Sequence, residues 1–237
     1  MVNNVTEIWE SIKEEVLEYL KDTEILSLIA HGSFAEGFAN SNSDFDLLVV
    51  CQDDVEERTE IIVVNNMEVD IDFLHEKTLL NQLESMNELL TPGPDPPFAS
   101  RLKNAIILVD SNNTGKTLVD IARKYEPSFQ LMDHYSKLLM GFYYDAVGAM
   151  VSGDYATSVH MARLAALEAL AGIMLQQGEL YVKKKWLIEY MNKHPAPKEL
   201  FLTLMGLDTA DKEQAKESIR DLNKLISEFQ RLREQKK

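Results

Sequence analysis

His31-Gly32-Ser33 is followed, after ten residues, by Asp44-Phe45-Asp46-Leu47-Leu48-Val49-Val50. These residue types at this spacing suit phosphate chemistry. Glycine lets a backbone turn pass close to a phosphate, and Ser33 offers it an N–H and a hydroxyl. Asp44 and Asp46 lie two apart in a run that reads as a strand, so both side chains leave the same face. Phe45, Leu47 and Val49 leave the opposite face, toward a core. Two carboxylates held side by side repel each other. A hard, oxygen-seeking Mg²⁺ ion relieves that repulsion. Further acids come from Glu68-Val69-Asp70-Ile71-Asp72-Phe73, where Glu68, Asp70 and Asp72 line one face of another strand. A pair of Mg²⁺ ions about 3.5–4 Å apart needs bridging carboxylates of this kind. One ion could grip a triphosphate; the other could lower the pKa of an acceptor hydroxyl and align it on the α-phosphorus.

The combination resembles the signature of the DNA polymerase β-like nucleotidyltransferase superfamily. That signature runs hydrophobic, Gly, Gly or Ser, about nine to thirteen residues, Asp, hydrophobic, Asp or Glu, hydrophobic. Gly32, Ser33, Asp44 and Asp46 match it position by position. The family's third acid sits in a strand between hydrophobic neighbours; Asp70 matches best, Asp72 is second and Glu68 third. The resemblance implies that Asp44, Asp46 and Asp70 are catalytic and bind metal, and that Gly32 and Ser33 cradle the nucleotide's phosphates. It implies Mg²⁺, as two ions, and ATP as donor of an NMP group to a hydroxyl, with release of pyrophosphate. The wider layout, a small catalytic domain followed by a helical bundle, is similar to the aminoglycoside and lincosamide nucleotidyltransferases. That similarity points to a small-molecule acceptor of the aminoglycoside kind.

One departure matters. Minimal, antitoxin-type members often place Arg a few positions after Gly-Ser, whereas here Phe34-Ala35-Glu36-Gly37 carries an acid. Phosphate charge must then be met by the metal, by backbone N–H groups or by a cation from the second domain. Lys183-Lys184-Lys185-Trp186 is the dense basic cluster of the chain. It reads either as a solvated helix end or as the source of that cation. The antibiotic-modifying relatives often carry a lysine in a comparable place, so Lys183 and Lys185 are candidates for nucleotide binding.

The elements that must position these residues follow from the apolar pattern. Val5, Ile8, Trp9, Ile12, Val16 and Leu20 recur at helical spacing. Strands are expected over 25–30, 44–50, 60–64, 67–74 and 105–109, with Asn65-Asn66 turning the third into the fourth. Residues 77–90 read as helix and the proline-rich 91–97 as loop. After Asn113 the strand signals stop, and helices are expected over 116–125, 128–151, 155–177, 181–192 and 210–233. The helix bearing His160, Arg163 and Glu168 reads as mostly core. The expected fold is therefore α+β: a small mixed β-sheet catalytic domain over 1–110, then an all-α helical bundle over 111–237 that supplies acceptor binding. Thr114-Gly115-Lys116-Thr117 mimics the end of a P-loop, but Asp110 stands where that motif needs glycine. The stretch reads instead as a turn starting a helix.

Charge sharpens the division. Residues 1–110 hold 23 Asp/Glu against 6 Lys/Arg, a net of −17; residues 111–237 hold 16 against 18, a net of +2. The total of −15 argues against a partner held by its nucleic-acid phosphates and suits a cationic acceptor. No unbroken apolar run reaches the length of about 18–20 residues that a membrane span needs, so no membrane partner is expected. The acidic, amphipathic start does not read as a signal peptide. Cys51 is the single cysteine, which excludes an internal disulfide and a multi-cysteine zinc site and fits a reducing cytoplasm. An apolar bundle face could pair two chains as a homodimer. The competing function is a regulatory nucleotidyltransferase fused to a HEPN-like helical module, AMPylating proteins or acting as part of a toxin–antitoxin pair. The Arg, four to six residues, His pattern of the nuclease form of that module is missing after Arg163, which argues against RNase activity.

Overall fold

The structure, a computed structural model, describes residues 5–90, 96–193 and 198–207. Helix α1 (Val5–Tyr19) buries Val5, Ile8, Trp9, Ile12 and Val16, the stripe its sequence spacing dictates. Strand β1 (Ile25–Ala30) leads into the short helix α2 (Gly32–Glu36). Strands β2 (Phe45–Cys51), β3 (Arg58–Val64) and β4 (Met67–His75) follow. Asn65 and Asn66 turn β3 into β4 with φ of 52° and 63°, the left-handed pair a tight hairpin requires. Helices α3 (Glu76–Glu84) and α4 (Met86–Leu89) replace the single helix expected over 77–90, with Ser85 between them. Of the expected loop 91–97, residues 91–95 lie outside the described residues. Pro97 caps a 3-10 segment, Phe98–Asn104, that leads to β5 (Ile106–Asp110) and α5 (Thr114–Lys124).

The five strands order as β3-β4-β2-β1-β5, and the sheet is mixed: β2 and β4 run parallel while the other neighbours run antiparallel. Alternation divides its side chains between two cores. Phe45, Leu47, Val49, Val69, Ile71 and Phe73 pack beneath α1. Leu48 and Val50 join Leu79 and Leu83 of α3, Leu118 and Val119 of α5, and Leu102 on the other face. Asp46 and Asp72 share that second face.

Helices α6 (Phe129–Val151) and α7 (Tyr155–Gln176) form a long antiparallel pair, and Lys184–Trp186 makes a 3-10 turn before α8 (Leu187–Lys193). The helix expected over 181–192 thus begins only at 187, because 179–183 has no regular structure. Only the C-terminal half of α7 is core: Ala165, Leu170, Gly172, Met174 and Leu175 are buried, while Tyr155, Val159, His160 and Arg163 are exposed. That corrects the expectation of a mostly buried helix. By length and mean hydropathy (22 residues, 1.4) α7 is apolar enough to cross a membrane, which counting unbroken apolar runs overlooks.

The charge step places a boundary at 110, but compactness divides the chain into Met1–His194 and Pro195–Lys237. The first unit extends past 110, where α5 packs on β1 and on the 98–104 segment. In the second unit α9 (Lys198–Met205) ends at Gly206, whose φ is 70°. The helix expected over 210–233 lies outside the described residues. The P-loop look-alike is a capped helix start: Asp110 accepts from the N–H groups of Gly115 (2.8 Å) and Lys116 (3.0 Å), filling with the chain's own carboxylate the place an anion would take.

Candidate active site

The turn after β1 is built against β2. The His31 N–H donates to the Asp46 carbonyl at 3.0 Å, and Gly32 follows with φ 69°. A Cβ on Gly32 would lie 1.8 Å from Asp46 Oδ2, so glycine is required both by conformation and by the carboxylate beside it. The Phe38 N–H closes the turn on the Ser33 carbonyl at 2.8 Å, and Gly37 ends α2 with φ 77°.

Parallel pairing then sets Asp46 opposite Asp70, with Asp44 immediately before β2. Ligand oxygens of Asp44, Asp46 and Asp70 lie within 4.8 Å of one another, so the structure gathers the three acids named from the sequence. Burial raises the Asp46 pKa to about 6, with repulsion from Asp44 adding to it and the cations Arg101 and Lys183 opposing it. Asp70 is also raised, by burial first and then by Asp44. Such crowded carboxylates are short of positive charge, and their oxygen-only donor set fits a hard divalent cation such as Mg²⁺.

Asp72 and Glu68 are differently employed. Asp72 accepts from the Thr59 hydroxyl at 2.6 Å and faces Arg101 Nη1 at 3.5 Å and His31 Nε2 at 3.7 Å. Glu68 is exposed on β4. Of the three acids on that face, Asp70 is therefore the one turned to the cluster.

Among the described residues, the buried polar side-chain atoms without a hydrogen-bond partner are both ring nitrogens of His31, Ser33 Oγ, Asp70 Oδ1 and Arg101 Nε. All belong to residues in or beside this turn and its acids. Folded chains pair nearly all such atoms, so their concentration in one place marks where a polar ligand would complete the set. His31 is 1% exposed, and burial pushes its pKa well down, so it is a neutral imidazole at pH 7.

The lysine cluster separates into three environments. Lys183 is half-buried, 5.0 Å from the Tyr181 ring centre, and near enough to lower the pKa of Asp46 and His31. Lys184 pairs with Glu168 at 3.3 Å. Lys185 is exposed and stands over the Trp186 ring, 5.1 Å from its centre.

Two further groups carry no local sequence signal. Arg101 reaches the site from the 3-10 segment. Glu36, 4% exposed, receives Asn104 Nδ2 at 3.0 Å, and Lys193 at the end of α8 donates to the Glu36 carbonyl at 3.0 Å. Lys193 also lies 4.3 Å from the Phe38 ring centre. The acid that stands where relatives often carry arginine is thus a buried anchor tying α2 to α8. Lys193→Met is expected to destabilise the chain by about 1–2 kcal/mol, since it strands a buried carboxylate whose partner is partly solvated. Thermal melting should show a loss of about 2–6 °C. Adding Glu36→Gln should recover much of it, as coupled partners do not add.

A mixed sheet carrying three clustered aspartates beside a glycine–serine turn is the arrangement that the sequence resemblance anticipates. Residues 10–92 match the family described as "Nucleotidyltransferase domain". The matched segment holds Gly32, Ser33, Asp44, Asp46 and Asp70, and so supports nucleotidyl transfer as the chemistry of this part of the chain. Among solved structures, the chain is similar to a nucleotidyltransferase-like protein from Exiguobacterium sibiricum 255-15, with 18% identity and a TM-score of 0.48 over 87% of this chain and 70% of that one. No curated protein matches the chain.

Proposed function

We propose that the enzyme transfers an NMP group, AMP from ATP, to a hydroxyl of a small molecule, with Mg²⁺ held by Asp44, Asp46 and Asp70. The observation that carries this reading is the convergence of the three carboxylates with the unpartnered Ser33 hydroxyl and Asp70 oxygen at one turn. Gly32 and Ser33 receive the β- and γ-phosphates: glycine keeps the backbone bare of side chain, and serine supplies an N–H and a hydroxyl. Bound Mg²⁺ would neutralise the triphosphate and acidify the acceptor hydroxyl.

In this reading Asp70, raised in pKa and with Oδ1 lacking a hydrogen-bond partner, completes the metal site or accepts the acceptor's proton. The acceptor oxygen forms a bond to the α-phosphorus as the bond from that phosphorus to the bridging oxygen breaks. The electron pair leaves with pyrophosphate. Helical residues from 111 onward are proposed to supply the acceptor's wall, with Lys183 adding positive charge beside the acids. The net charge of −17 over residues 1–110 would concentrate a cationic acceptor of the aminoglycoside kind. A reducing cytoplasm suits the single buried thiol, Cys51.

The test is incubation with Mg²⁺ and ATP labelled at the α- or the γ-phosphate, against a panel of cationic and neutral hydroxyl compounds. Transfer of the α-label with pyrophosphate release, abolished by EDTA, is the expected result. Transfer of the γ-label would mean a kinase and would end this reading.

A further inference from the structure

Glu36 cannot meet phosphate charge, so a cation must come from elsewhere. Arg101 is a side chain whose position answers that need. It arrives from the 3-10 segment Phe98–Asn104 and is mostly buried. Its guanidinium lies over the Phe98 ring at 4.2 Å from the centre and faces the Tyr181 ring at 5.1 Å. Phe98 in turn meets the His31 imidazole edge-on, with ring centres 5.1 Å apart, so Arg101 is fixed to the wall that carries the glycine–serine turn. Arginine between aromatic faces is pre-organised: its plane is set before any ligand arrives.

That well-held group is poorly used within the chain. Arg101 Nε is buried and donates to nothing. Its approach to Asp72, 3.5 Å from Nη1 to Oδ2, is longer than a charge-assisted hydrogen bond of about 2.7–2.9 Å. Asp72 already accepts from Thr59. Arg101 is also near enough to Asp46 and His31 to lower the pKa of both. A planar fork with several donors to spare, beside the metal-binding acids, matches a phosphate and not a lone carboxylate.

Resting on the nucleotidyl-transfer reading above, we propose that Arg101 grips the triphosphate, donating from its guanidinium to β- or γ-phosphate oxygens of the donor nucleotide. It fills from a distant segment the role that arginine after Gly-Ser would fill. The competing role is that of a counter-ion to Asp72.

Calorimetric titration of the full chain in Mg²⁺ with ATP, AMP and inorganic tripolyphosphate separates the two. Arg101→Gln should weaken ATP and tripolyphosphate at least about tenfold and leave AMP within about twofold, because only the first two carry the contacted groups. Arg101→Lys, which keeps charge but loses the fork, should fall between. Unchanged ATP affinity in Arg101→Gln, or equal losses for ATP and AMP, overturns the proposal. If Arg101→Gln does not fold, the pair Arg101→Gln with Asp72→Asn removes the stranded acid and is read by the same criteria. A wild-type chain that binds none of the three ligands overturns the nucleotidyl-transfer reading itself, a result distinct from an Arg101 variant that binds them as well as wild type.

Discussion

Asp46→Asn is expected to lower nucleotidyl transfer by about a thousandfold or more, while making the metal-free protein more resistant to heat above pH 6. The activity loss follows from geometry. Asp46 lies at the centre of the cluster, opposite Asp70 in the β2–β4 pair and two residues from Asp44. An amide there offers one neutral oxygen and cannot bridge cations. The stability gain follows from charge. Burial and Asp44 raise the Asp46 pKa to about 6 from an ordinary 3.8. The folded state therefore holds the proton more tightly than the unfolded chain does. As pH rises through about 4 to 6, the unfolded state ionises first and the folded state is progressively penalised. Above pH 6 the penalty is complete, on the order of 3 kcal/mol before the neighbours readjust. Asparagine carries no such penalty. Melting curves of metal-free wild type should thus fall relative to Asp46→Asn between pH 4 and 6 and stay below it at higher pH. Mg²⁺ should raise the wild-type melting temperature at pH 7.5 and leave the variant's unmoved. Turnover retained by Asp46→Asn would remove the acids from the chemistry.

Gly32→Ala should be nearly as damaging to activity, about a hundredfold or more, and opposite in its effect on stability. The new methyl carbon would lie 1.8 Å from Asp46 Oδ2 and 2.4 Å from its Cγ, distances no packing tolerates. The φ of 69° adds about 1 kcal/mol for any L side chain. Either the turn or the Asp46 carboxylate must move, and both belong to the site. Gly37→Ala isolates the conformational part, because Gly37 has a φ of 77° and open space where its Cβ would be. That control should lose about 1 kcal/mol of stability and keep its activity. Steady-state kinetics and melting on the two variants decide the matter. Equal kcat for Gly32→Ala and wild type would show that the turn does not hold Asp46 in place.

The acids were readable in the sequence because their spacing is local. Alternation of Val69, Ile71 and Phe73 with Glu68, Asp70 and Asp72 fixes a strand with one charged face, and the asparagine pair fixes its hairpin. The choice among the three acids is not local. Asp70 and Asp72 share a face, and only the pairing of β2 with β4 sets Asp70 opposite Asp46. Arg101 was illegible for the same reason: it is an isolated arginine after a proline-rich stretch, and its value comes from rings at 98 and 181 and acids at 46 and 72. Lys193 and Glu36, 157 residues apart, meet only through the packing of α8 on the α2 turn. α8 starts at Leu187 and not at Tyr181, because before it the chain stacks the Tyr181 and Trp186 rings edge to face at 5.3 Å, a contact between distant parts of a turn that apolar spacing does not reveal.

The parallel seam between β2 and β4 has a consequence for how this enzyme can change. A slip of a single residue along that seam would bring Val69 or Ile71 opposite Asp46 and drive carboxylates into the oily layer under α1. Insertions or deletions within these two strands should therefore yield insoluble chains in preference to folded, inactive ones. Variation in length is better tolerated at residues 40–42, which are exposed between α2 and β2. A deletion scan scored for solubility would trace the seam residue by residue.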